Sequence, residues 1–302
     1  MINIVVDATI LSSMMSCERL TDFRINDSLA PKDGKSNSLE CGSIVHTFLE
    51  YYYKSIISGK NKSDAIDEGF KFAKLYIDGC PICKDLIEGN PECGHKVGDF
   101  PGVKNTPEKS IGAVIGWVHA LDTCLQYLAR WVSDAWTPLA VEETRGEIIY
   151  KDDNIQVLWK AKFDLIVDTN QAILSVDHKT MKQRRDSLSL NNQFMGQCVL
   201  MKSRNVIINK IGFQTTLKPQ EKFERAMISY SKDRLDEWQN VIVPHWAKKL
   251  AHCIQTDEWA PNFTHCENKY GFCSMKEVCE SDRNMRDEVI KLNYVKGRVW
   301  DV

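Results

Sequence analysis

"ILSVDHKT", residues 173–180, reads as a strand that is apolar for most of its length and ionic at its end. Strand side chains alternate with period two, so Asp177 and Lys179 point the same way. A salt-bridged strand end satisfies that pattern, and so does a metal site that works on phosphodiesters. The flanking segments bear on the choice. "AVEETRGEIIY" (140–150) and "IQVLWKAKFDLIVD" (155–168) share the alternation and the β-branched and aromatic content, with "KDDN" and "DTNQ" as turns between the strands. This predicts a three-stranded antiparallel meander with Asp164 in its middle strand, folded back beside Asp177, and Glu142 on the strand before. Three carboxylates converging at one sheet edge repel unless a cation joins them. Hard oxygen donors of this kind suit Mg²⁺ or Mn²⁺. Lys179 would then orient or deprotonate an attacking water and offset charge developing at phosphorus.

Outward from the meander the period changes. "SLECGSIVHTFLEYYYKSII" (38–57) carries apolar residues at three- and four-residue spacing, and 60–130 is mostly helical apart from a Cys, Pro and Gly-rich loop at 79–105. Helix signals return at 187–203, a strand at 205–216 and one long helix over roughly 220–252. Helices around a mixed sheet predict an α/β fold. With 302 residues, 43% hydrophobic and 26% charged, the chain has ample core, and its formal charge of -2 gives no global signature of nucleic-acid binding. A local groove can still be positive; Lys182, Arg184 and Arg185 directly follow the opening motif. The most apolar stretch, 111–132, is interrupted by His119, Asp122 and Gln126 and reads as a buried amphipathic helix, so no membrane partner is expected. The N-terminus has no basic region before its apolar run and carries Asp7, which favours an intracellular, cytoplasmic protein.

Taken in order, "GSIVH" (42–46), "VEE" (141–143), "AKFD" (161–164), "VDHK" (176–179) and "QFMGQ" (193–197) resemble the motifs of the PD-(D/E)xK nucleases, in particular the RecB-like branch. The match spans most of the chain. The resemblance implies a nuclease core of mixed sheet flanked by helices, acting on DNA. It implies metal ligation by His46, Asp164, Asp177 and the main-chain carbonyl of His178, a catalytic Lys179, and a Gln193 that contacts DNA or supports the site. Two positions depart from the pattern: Ala161 replaces a glycine, and Gln197 replaces the usual tyrosine.

Eleven cysteines in a reducing compartment point to metal ligands rather than disulfides. Cys266, Cys273 and Cys279 form a C-x6-C-x5-C array that lacks a fourth ligand. Cys17, in "ILSSMMSCERLTDFR", resembles the N-terminal cysteine of RecB-like nucleases that carry an iron–sulfur cluster, among them CRISPR-associated adaptation exonucleases, the AddB subunit and related phage proteins. Four soft thiolates suit a 4Fe–4S cluster or zinc. A second group, Cys80, Cys83, Cys93 and His95, has the ligand count of a zinc loop, with a metal-free loop as the alternative. Cys41, Cys124, Cys198 and Cys253 read as core residues.

The resulting expectation is a single nuclease domain over 1–302, with a helical insertion at 50–137, a catalytic core at 138–230 and an iron–sulfur-binding tail at 260–302. The expected activity is a metal-dependent DNA exonuclease acting on single-stranded ends. The alternatives are a nucleic-acid-binding or assembly subunit with weak catalysis, and an endonuclease of the same fold.

Overall fold

A computed structural model describes residues 1–32, 37–79, 110–181, 189–213, 218–268 and 271–296. Strand β1 (Ile2–Val6) leads into helix α1 (Ala8–Ser16), whose first turn is capped by Asp7 accepting from the Ile10 amide at 2.7 Å. Cys17 is extended and lies at the joint between α1 and α2 (Glu18–Thr21). A π-helical turn at Asp22–Asn26 and strand β2 (Leu29–Pro31) follow. Among the described residues three helices come next: α3 (Asn37–Ile57), α4 (Lys62–Asp78) and α5 (Ser110–Arg130). Helix α3 runs unbroken over its 21 residues.

The meander forms as expected from β3 (Thr137–Lys151), β4 (Ile155–Asp168) and β5 (Ile173–Met181). After it come α6 (Asn192–Leu200), β6 (Asn205–Gly212), α7 (Pro219–Lys222), β7 (Phe223–Ser229) and α8 (Lys232–Glu237). A π-helical turn at Trp238–Ile242 continues into α9 (Val243–Thr256). The single long helix expected over 220–252 is therefore wrong. Its first third holds strand β7, which pairs antiparallel with β6 and so gains partners that local propensity could not anticipate. The tail is built of short pieces: β8 (Glu267–Asn268), β9 (Gly271–Phe272), α10 (Lys276–Glu280), α11 (Arg286–Asn293) and β10 (Tyr294–Lys296). β10 pairs with β2, which joins the tail to the N-terminal region.

The six-stranded sheet is covered on both faces. One core gathers Trp159, Phe163, Phe194, Trp238 and Leu250 under α1, α6 and α9, and the other gathers Val45, Phe48, Tyr127 and Val176 under α3, α4 and α5. Trp159 and Trp238 are fully buried and meet edge-on at 4.8 Å; each such indole contributes about 3–5 kcal/mol against truncation. Gly196 makes this packing feasible, since a Cβ there would lie 2.3 Å from Trp159 Nε1.

The sheet opens at β4. One of its edges is paired with β3 from Gln156 to Asp168. Its other edge is shared between two strands: β1 runs parallel along Ile155–Trp159, and β5 runs antiparallel along Leu165–Asp168. Among the described residues no strand pairs that edge between the two, so the sheet forks at Lys160–Asp164. No described helix is long and apolar enough to cross a membrane.

Candidate active site

The fork is where the acidic residues gather. The β4–β5 register pairs Leu165 with Val176, so the next opposed positions are Asp164 and Asp177, the first after the strands part. The β3–β4 register pairs Val141 with Leu165 and Glu143 with Phe163, which places Glu142 opposite Asp164 from the other side. The meander thus lines up Glu142, Asp164 and Asp177 across three strands. Glu142 holds φ at 52°, a left-handed conformation that disfavours a residue with a Cβ by about 1–2 kcal/mol. Such strain persists where the surrounding structure over-determines it.

Helix α3 completes the mouth. His46 Nδ1 lies 3.6 Å from Asp164 Oδ2. The approach depends on Gly42, because a Cβ there would sit 2.7 Å from Thr180 Oγ1 on β5. Ligand atoms of His46, Glu142 and Asp164 all lie within 4.8 Å of one another. Asp177 is held differently from the three. Its Oδ1 accepts from Gln193 Nε2 at 2.6 Å, and its Oδ2 lies 2.7 Å from Lys179 Nζ. Lys179 also donates to Gln193 Oε1 at 3.0 Å. Gln193, Asp177 and Lys179 form a closed polar ring beside the other three residues. Asp177 is fully buried in the body of β5 rather than at its end.

Burial and like charge crowd the carboxylates of this cluster. Burial, then the charges of Asp177 and Glu142, raise the Asp164 pKa to about 8. Burial also lowers the pKa of His46, which favours neutral imidazole, the metal-binding form. The donor set of two carboxylates, one imidazole and a neighbouring third carboxylate fits a divalent ion of the magnesium or manganese type.

His178 links the site to the second core. Its amide donates to Asp164 Oδ2 at 2.8 Å, and its ring is 3% exposed, stacked on Tyr53 with Tyr127 and His46 edge-on. Burial pushes its pKa well below the usual range, so its Nδ1 accepts from Asn209 Nδ2 at 2.7 Å. Asn209 also donates to Tyr127 Oη, which receives Arg225, itself paired with Asp134 at 2.6 Å. The sequence pattern did not single out Tyr53, Tyr127, Asn209 or Lys162, the last of which is ion-paired with Glu142. Only Lys162 stood inside a quoted motif. The other three come from segments far apart in sequence. Gln197, one turn beyond Gln193, is fully buried and neither of its amide atoms has a hydrogen-bond partner among the described residues.

The sequence profile of the PD-(D/E)XK nuclease superfamily matches residues 8–280. The chain belongs to that superfamily. The mixed sheet flanked by helices is the fold of these nucleases. Among proteins of curated function, none matches the chain. Of solved structures, a Eubacterium rectale protein with a provisional exonuclease designation is 13% identical, covering 84% of this chain and 83% of its own, at a TM-score of 0.43. The crystal structure of SSO0001 is 12% identical over 49% of this chain and 67% of its own, at a TM-score of 0.30. Neither likeness bears on what this nuclease acts on.

Away from the fork, Cys17, Cys266, Cys273 and Cys279 line one cavity of about 300 Å³, together with Arg19 and Lys276. The Asn262 amide donates to Cys17 Sγ at 3.3 Å, and Arg19 Nη1 lies 3.9 Å from Cys279 Sγ. Cys266 has its pKa raised, by burial first and then by the neighbouring Cys279, Cys273 and Cys17. Cys41, Cys124, Cys198 and Cys253 are buried core residues, as expected. Cys80, Cys83, Cys93 and His95 lie outside the described residues, as do Lys182, Arg184 and Arg185.

Proposed function

We propose that this nuclease is a divalent-metal-dependent DNA exonuclease of the RecB-like iron–sulfur type, acting on single-stranded ends. The observation that carries the reading is the fork, where His46, Glu142 and Asp164 converge beside the ring of Asp177, Lys179 and Gln193. His46, Glu142, Asp164 and Asp177 would hold the ion, with the main-chain carbonyl of His178. Mg²⁺ or Mn²⁺, when bound, would polarise the phosphodiester and lower the pKa of the attacking water.

The remaining chemistry belongs to the side chains. Lys179 has three donor protons, and Asp177 and Gln193 engage two of its directions at 2.7 and 3.0 Å. The third direction remains for the attacking water or a phosphate oxygen. Gln193 fixes the ammonium and the carboxylate together, so the lysine is aimed before substrate arrives. His178 holds the β5 backbone at the fork through its buried ring.

The four cysteines support a 4Fe–4S cluster. The cavity that they line, with Arg19 and Lys276 beside them, suits an anionic cluster. The chain would act as a single nuclease domain with this cluster-bearing tail.

Linear single-stranded DNA labelled at either end, and a circle of the same sequence, test the reading in Mn²⁺ with an EDTA control. The expected result is stepwise loss from one end, an intact circle and no reaction in EDTA. A circle cut as fast as the linear strand makes the chain an endonuclease. Binding without hydrolysis favours the assembly-subunit reading, toward which Gln197 in place of the usual tyrosine points.

A further inference from the structure

The open edge of the fork, between Trp159 and Leu165, carries a lysine two residues before Asp164. Lys162 is ion-paired with Glu142, one of the groups gathered at the mouth. Glu50 and Asp164 surround the same ammonium with further negative charge. The two partners are unequally anchored: the Lys162 side chain is 61% exposed, whereas the Glu142 side chain is 16% exposed. Glu142 is fixed further by its left-handed backbone. The carboxylate is therefore the stationary member, and the lysine reaches in from solvent on a flexible stem.

A divalent ion and an ammonium compete for one carboxylate, since each repels the other at contact distance. We propose that Lys162 is a stand-in cation: it occupies Glu142 in the ion-free protein, yields it to the divalent ion, and then binds a phosphate of the nucleic-acid strand. The inference rests on the reading of the fork as a divalent-ion site that acts on nucleic acid. Release requires no repacking, because most of the lysine already faces solvent. A phosphate that approaches an ion held by Glu142 comes within reach of Lys162, which pairs with that same carboxylate. Phosphate that captures the lysine removes the competitor from Glu142, so strand and ion tighten each other's binding reciprocally. The device gives loaded enzyme with substrate an advantage over either ligand alone.

The test compares wild type, Lys162→Met and Lys162→Arg as full-length proteins. Calorimetric titration with Mn²⁺ in the absence of DNA should show Lys162→Met binding the ion about 5–10-fold more tightly than wild type. Anisotropy of a short labelled single strand in Ca²⁺ should show Lys162→Met binding it about 10-fold more weakly. Adding the strand should tighten Mn²⁺ binding in wild type and Lys162→Arg but not in Lys162→Met. Melting curves check that all three are folded, which the exposure of Lys162 favours. Mn²⁺ affinity in Lys162→Met that equals or falls below wild type overturns the proposal while leaving the ion site standing. A wild type that binds no Mn²⁺ overturns both.

Discussion

The fork and the cysteine cavity are both candidate metal centres, yet they are supported in opposite ways. The fork lies between two large cores on the middle strands of a six-stranded sheet, and its residues are positioned by register. The cysteine region rests on a small cluster of Phe23, Leu29, Met275, Val278 and Tyr294, with helices of five and eight residues and strands of two or three. A site built on register can stand without its ion. A site built on so small a core needs the bound group as a cross-link. The lesson is that removing metal should silence the fork but loosen the tail.

The largest effect belongs to the ring beside the fork. Asp177→Asn and Lys179→Met should each reduce hydrolysis by about 10²–10³-fold or more. Their stabilities should differ in sign. Asp177→Asn removes a like charge next to Asp164 and Glu142, so its melting temperature should hold or rise. Lys179→Met leaves a fully buried carboxylate without its cation and should melt lower. Near-normal rates in either variant would show the site is misplaced.

Breaking the clamp comes next. Cys17 and the tail cysteines are separated by nearly the whole chain, so a shared group closes a long loop and stabilises by roughly a few kcal/mol. Purified protein should be brown, with broad absorbance near about 400 nm. Cys17→Ser and Cys273→Ser should bleach it equally, lower its melting temperature and expose the tail to proteases, while Mn²⁺ binding at the fork persists. Colourless protein holding zinc on the four cysteines would replace the cluster but keep the clamp. Full iron content in Cys17→Ser would remove the clamp.

Two smaller changes sharpen the account of the mouth. His46→Ala should reduce activity about 10-fold and shift preference from Mn²⁺ toward Mg²⁺, because imidazole suits the former. Equal loss with both ions would assign His46 some other purpose. Gly42→Ala should destabilise by about 1 kcal/mol, since Thr180 must swing aside for the new methyl. An unchanged melting curve would mean that α3 is less tightly seated on β5 than the structure indicates.

Much of the fork was legible because strand alternation and turn residues are local signals. "KDDN" and "DTNQ" bracket β4, and the period of two sets Asp177 and Lys179 on one side. The resemblance added His46 and Gln193, whose positions depend on helices docking from elsewhere. What stayed hidden is relational. Strand β1 pairs with β4 across about 150 residues, and no local pattern says that β1 and β5 share one edge of β4. Strand β7 looked helical because its identity comes from β6. The buried chain from His178 through Asn209 and Tyr127 to Arg225 joins four separate elements. Lys162 was in plain view within "AKFD", but its pairing with Glu142 needed the β3–β4 register to be seen.

Mn²⁺ titration calorimetry on metal-stripped wild type, Asp164→Asn and Cys17→Ser tests the central claim most directly. The account predicts a saturable binding event in wild type that disappears in Asp164→Asn and survives in Cys17→Ser. Equal Mn²⁺ binding by Asp164→Asn and wild type would contradict it.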